Sequence, residues 1–155
     1  MAFTGVLIIV SMAPIFGEYK TMVSRLLAHE DLEYGPAYEI AAYLRRENSA
    51  NGAVYLLNDH IAYWLIGAHP PTRLTTHPSN IADPYVLRAV EGEGASTEDE
   101  LRKVFRKAPE FVVMTKDVGY LRGGPRALLD QILADEYVLV AQIQGRRIYR
   151  LKPGP

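Results

Sequence analysis

Residues 96–115 read STEDELRKVFRKAPEFVVMT, and the fold class turns on this stretch. Ser96 followed by Asp99 resembles a capping arrangement, and Leu101, Val104, Phe105 and Ala108 recur at the spacing of one buried helical face. Pro109 ends the helix. Phe111–Thr115 (FVVMT) is short, apolar and rich in valine, which suits a buried strand and is too brief for a helix. A helix leading through a proline into a buried strand is the repeating unit of an α/β protein.

Working outward, Gly123-Gly124-Pro125 opens a further helix, with proline in its first turn and Leu128, Leu129, Ile132 and Leu133 inward. Tyr137–Ile143 and Arg147–Leu151 then read as strands joined around Gly145, most simply an antiparallel hairpin. Upstream, Tyr19, Met22, Val23, Leu26 and Leu27 mark an amphipathic helix. A second helix starts at Gly35-Pro36 and runs through Ile40, Tyr43 and Leu44 to Arg45-Arg46, which suit its negative end. Asn51-Gly52 turns the chain, Ala53–Leu57 (AVYLL) is a buried strand, and His60–Ile66 is helical until His69-Pro70-Pro71 breaks it. Thr72–Thr76 (TRLTT) has strand-like composition, and residues 77–95, with His77-Pro78, Asp83-Pro84 and Gly92-Glu93-Gly94, are expected to be a mobile loop. Helices between strands predict a three-layer α/β domain: a mainly parallel sheet covered on both faces, with the terminal hairpin as an antiparallel edge.

The chain has 155 residues, 48% hydrophobic and 23% charged, with net charge -1. These values suit one globular core over residues 18–155 and give no broad attraction to nucleic acid, so no nucleic-acid partner is expected. With no cysteine, disulfides and thiolate chemistry are excluded. Residues 1–17 (MAFTGVLIIVSMAPIFG) carry no charge. No Lys or Arg precedes the apolar run, which fits a signal peptide poorly. Two readings stay open: a buried first strand over Val6–Val10, or the tail of a transmembrane helix.

Asp59, His60, His69 and His77 fall close together, but their spacing matches no metal signature and no metal or cofactor is expected. Neither a G-x-S-x-G elbow nor a phosphate-binding glycine loop occurs, and Ser79 beside His77 is only a sequence neighbour. No catalytic residue is assigned. The turn Arg122-Gly123-Gly124-Pro125-Arg126 could present amides and guanidinium groups to an anion; its alternative is a loop with solvated arginines. A free-standing α/β module binding a small anionic ligand through Arg122, Gly123, Gly124 and Arg126 is therefore one functional reading.

The pieces AAYLRREN (residues 41–48), VYLL (54–57), YWLIGAHPPTR (63–73) and APEFVVM (108–114), in that order, resemble the C-terminal extracytoplasmic domain of the dolichyl-phosphate-mannose protein mannosyltransferase-like membrane glycosyltransferases, which include the aminoarabinose transferases. The resemblance covers about residues 34–151. It implies an accessory domain of an integral-membrane enzyme that transfers a sugar from a polyprenyl-phosphate donor on the periplasmic side of the cytoplasmic membrane. The domain's partner would be the membrane portion of the same polypeptide, and residues 1–17 would be the end of its last membrane helix. The family's catalytic carboxylate lies in an early loop between membrane helices, a region not represented here, so no catalytic role is carried over. Tyr63, Arg73 and the loop from His77 to Asp83 are the implied contacts with lipid-linked sugar or acceptor.

Overall fold

A computed structural model describes residues 19–47 and 53–154. The chain divides into two compact units, Met1–Tyr34 and Gly35–Pro155. In the first unit, residues 19–27 are helical (α1). Its apolar stripe has no cover: Tyr19, Met22, Val23, Leu26 and Leu27 are all exposed, Leu27 by 76%. The predicted strand Val6–Val10, the proposed membrane-helix tail and the Asn51-Gly52 turn lie outside the described residues. Among the described residues no helix is long and apolar enough to cross a membrane.

The second unit is a mixed α/β domain with the order α2 (Pro36–Arg46), β1 (Val54–Leu56), α3 (Ile61–Ile66), a 3-10 turn (Pro78–Ala82), α4 (Pro84–Glu91), α5 (Thr97–Phe105), β2 (Phe111–Thr115), α6 (Gly124–Glu136), β3 (Tyr137–Ile143) and β4 (Arg146–Leu151). Its four strands lie in the order β1-β2-β4-β3. The β1–β2 pair is parallel, while β2–β4 and β3–β4 are antiparallel. The expectation of a mainly parallel sheet is thus met in one pairing of three. The terminal hairpin does not stay at the margin; β4 inserts beside β2 and pushes β3 to the edge. Gln144 and Gly145 both take positive φ, 45° and 77°, the two-residue turn whose twist matches a hairpin.

Alternation along the strands divides their side chains between two apolar clusters. Val54, Leu56, Phe111, Val113 and Ile148 pack with Ile40 and Leu44 of α2 and Ala62 and Tyr63 of α3. Tyr55, Leu57, Val112 and Met114 pack with Leu101, Val104 and Phe105 of α5 and Leu129 and Leu133 of α6. Each large side chain so buried contributes about 1.5–3 kcal/mol.

Three local expectations are corrected. Thr72–Thr76 is not a strand; the Thr72 hydroxyl donates to Glu100 Oε1 at 2.7 Å and accepts from the Leu74 amide, so local bonds replace a ladder. Residues 77–95 hold the 3-10 turn and α4. The Asp83-Pro84 pair marks a helix start: Asp83 Oδ1 accepts from the Tyr85 and Val86 amides, and Pro84 fills the first turn. Ala108 lies beyond the end of α5, exposed and with φ 46°, so it is not part of that helix's buried stripe.

Candidate functional site

The chemistry of the second unit gathers where α5 faces the segment after α3. Ser96 fixes the start of α5 by accepting from the Asp99 amide at 3.1 Å. Leu101, Val104 and Phe105 then turn inward. With those positions fixed, the 3.6-residue period brings Glu100, Lys103 and Lys107 toward one flank. Pro71, Thr72 and Arg73 form the opposite wall of a cavity of about 370 Å³, and Glu91, at the end of α4, closes it.

The charges around this cavity are unequally committed. Glu100 is 4% exposed; its Oε1 accepts from Thr72, whereas Oε2 has no hydrogen-bond partner. Lys103 Nζ lies 3.3 Å from that Oε2, close enough to neutralise charge but without hydrogen-bond alignment. The ammonium is directed instead at Glu91 Oε2, 2.8 Å away. That bond holds the Glu91 carboxyl below its ordinary range and raises the Lys103 ammonium above its own. Lys107 Nζ donates to the Pro71 carbonyl at 2.6 Å, leaving further N–H groups. Arg73 makes one long bond, 3.4 Å, to the Val90 carbonyl. Arg106 lines the cavity and engages no partner among the described residues. The site therefore offers unspent guanidinium and ammonium donors beside one buried, unspent carboxylate oxygen.

The residues singled out by sequence fall elsewhere, Arg73 excepted. Tyr63 is buried, and its hydroxyl accepts from the Leu56 amide at 2.7 Å and donates to the Val54 carbonyl at 3.1 Å. It closes the outer edge of β1 in place of a neighbouring strand and has no capacity left for a ligand. Burial pushes its phenol pKa well up. His77 caps the 3-10 turn: its Nδ1 accepts from the Ser79 amide at 3.2 Å and meets the Ser79 hydroxyl at 2.7 Å. This is a local cap on an exposed turn. His69 is exposed. His60 sets its two ring nitrogens against the Leu56 and Thr75 carbonyls, at 2.8 and 3.3 Å. Burial lowers its pKa from 6.5, more than those carbonyls raise it. Among the described residues no group of three His, Asp or Glu could hold a metal.

The Arg122–Arg126 turn is neutralised from within. Arg126 Nε donates to Asp130 at 2.8 Å, its Nη1 lies 3.6 Å from Asp117, and its Nη2 donates to the Lys116 carbonyl. Arg122 Nε donates to the Gly119 carbonyl. A Cβ placed on Gly124 would meet Glu98 Oε1 at 2.6 Å, so a carboxylate of α5 already lies against the start of α6, where an external anion was expected.

Sequence reasoning missed Glu91, Glu100, Lys103, Arg106 and Lys107. The available signal was Glu100 inside the α5 stripe, one position from Leu101, where a charged residue must be buried or bent away. No family model, curated protein or solved structure matches this chain.

Proposed function

We propose that this chain is an extracytoplasmic accessory domain of an integral-membrane glycosyltransferase that draws its sugar from a polyprenyl-phosphate donor. The observation that carries the reading is α1. Its apolar residues repeat along one face and are exposed, directly after a 17-residue uncharged stretch. Such a stripe costs least in water when lipid or a membrane-embedded partner covers it. The four sequence pieces behind the resemblance supply α2, β1, α3 and β2, which share one apolar cluster. The pieces that resemble the family are thus one packed unit. The two clusters also support a three-layer description of the domain, with helices on both faces of the sheet. In this reading the domain assists a catalytic site carried by the membrane portion.

Antibodies raised against residues 35–154 test the proposal in fractionated cells of the source organism. The expected result is a membrane-bound polypeptide far larger than the 17.3 kDa of this chain, whose domain is cleaved by protease added outside intact spheroplasts. A 17 kDa band in the soluble fraction would overturn it and leave the free-standing module.

A further inference from the structure

We infer that the cavity between Thr72–Arg73 and α5 binds a phosphate ester that carries a hydroxyl close to its phosphoryl group, as a sugar phosphate does. The inference rests on the cavity alone and does not depend on the membrane reading.

Three features of the site define this ligand. The first is sign: Arg73, Lys103, Arg106 and Lys107 outnumber Glu91 and Glu100 around the cavity, and Lys103 is the cation held by the two acids. Arg73, Arg106 and Lys107 remain to face an anion. The second is geometry of donation. Two guanidinium forks suit the oxygens of a phosphoryl group, which accept paired N–H bonds, better than they suit a halide or a single carbonyl. The third is the Glu100 Oε2 acceptor, buried and without a hydrogen bond. A buried unpartnered carboxylate oxygen costs about 1–3 kcal/mol or more, and an O–H from a ligand recovers that cost. Bare phosphate satisfies only the first two features. An ester with a neighbouring hydroxyl satisfies all three, and a cavity of about 370 Å³ lies within the range that holds small ligands.

Sugar phosphates occur free and on lipids, and both present the same chemistry. Calorimetric titration of the full chain at low ionic strength would compare inorganic phosphate, glucose 1-phosphate and glucose. A vesicle-sedimentation arm would use phosphatidylcholine vesicles with and without phosphatidylinositol. Glucose 1-phosphate is expected to bind saturably, about tenfold more tightly than inorganic phosphate, the equivalent of one charge-assisted hydrogen bond; glucose should give no heat. Arg106→Ala, an exposed substitution, should weaken both anions about tenfold or more. Glu100→Gln should erase the preference for the sugar ester and spare inorganic phosphate; Thr72→Val, which leaves the carboxylate in place, guards against a folding defect in that variant. Arg106-dependent retention on phosphatidylinositol vesicles would assign the ester to a lipid, and its absence, with glucose 1-phosphate still bound, to a free metabolite. Absence of saturable binding to glucose 1-phosphate and to phosphatidylinositol alike, or an Arg106→Ala chain that binds as the parent does, would overturn the inference.

Discussion

Two arginine-bearing regions of the second unit invite comparison: the Arg122–Arg126 turn and the cavity beside α5. In sequence the first is the more suggestive, with paired arginines flanking glycines at a helix start. In three dimensions its charge is spent. Asp117, Asp130 and Glu98 lie where an anion would lie. The cavity has no motif, yet Arg106 is unengaged and Arg73 and Lys107 retain donors. The lesson is that a cationic site is defined by charge left over after the protein has met its own needs, and only the fold reveals that remainder.

Substitutions can break or sharpen this contrast. The largest effect should come from Leu101→Ala, since α5 carries one wall of the cavity and Leu101 is fully buried beneath it; thermal unfolding should show a loss of about 2–5 kcal/mol. Tyr63→Phe removes a hydroxyl that serves two backbone groups of β1. Chemical denaturation should report a loss of about 1–2 kcal/mol with anion binding intact; lost binding at unchanged stability would instead make Tyr63 a contact residue. A smaller effect is expected from pH. His60 has a folded pKa lowered from 6.5 by burial, so the unfolded chain binds protons more readily. The neutral ring's contribution is complete above 6.5 and is lost as pH falls through that value toward the lower folded pKa. His60→Gln should flatten this slope in melting temperature, and because His60 faces the Thr75 carbonyl of the Arg73 segment, the cavity should feel the change while the Arg122–Arg126 turn does not. The smallest effect should be that of Arg126→Ala, whose partners are mostly exposed: a shift within about 0.5 kcal/mol and no change in phosphate binding. A clear drop in binding would erase the distinction between the regions.

The regular elements were legible wherever local pattern and burial agree. Pro36 at a helix start, FVVMT as a buried strand and the Gln144-Gly145 hairpin appear at their expected positions. Composition misled where polar side chains act locally: Thr72 and Asp83 bond nearby groups, turning an apparent strand into a loop and an apparent loop into a helix cap. Parallelism was overestimated because alternation of helix and strand does not reveal that the last hairpin folds inward. The cavity was not legible because its walls, Thr72 and Glu100, lie 28 positions apart and neither stands out from its neighbours.

That inward hairpin also governs when the domain can form during synthesis. β4 is the last strand in chain order, yet it occupies an inner place between β2 and β3. Until it has left the ribosome, β2 has β1 on one side and an open row of amides and carbonyls on the other, bordered by Val112 and Val113. A nascent chain stalled within α6 would therefore hold an adhesive half-sheet. Release of the closing segment converts it to a finished domain in one late step, so truncations before Arg146 should aggregate instead of yielding a smaller fold.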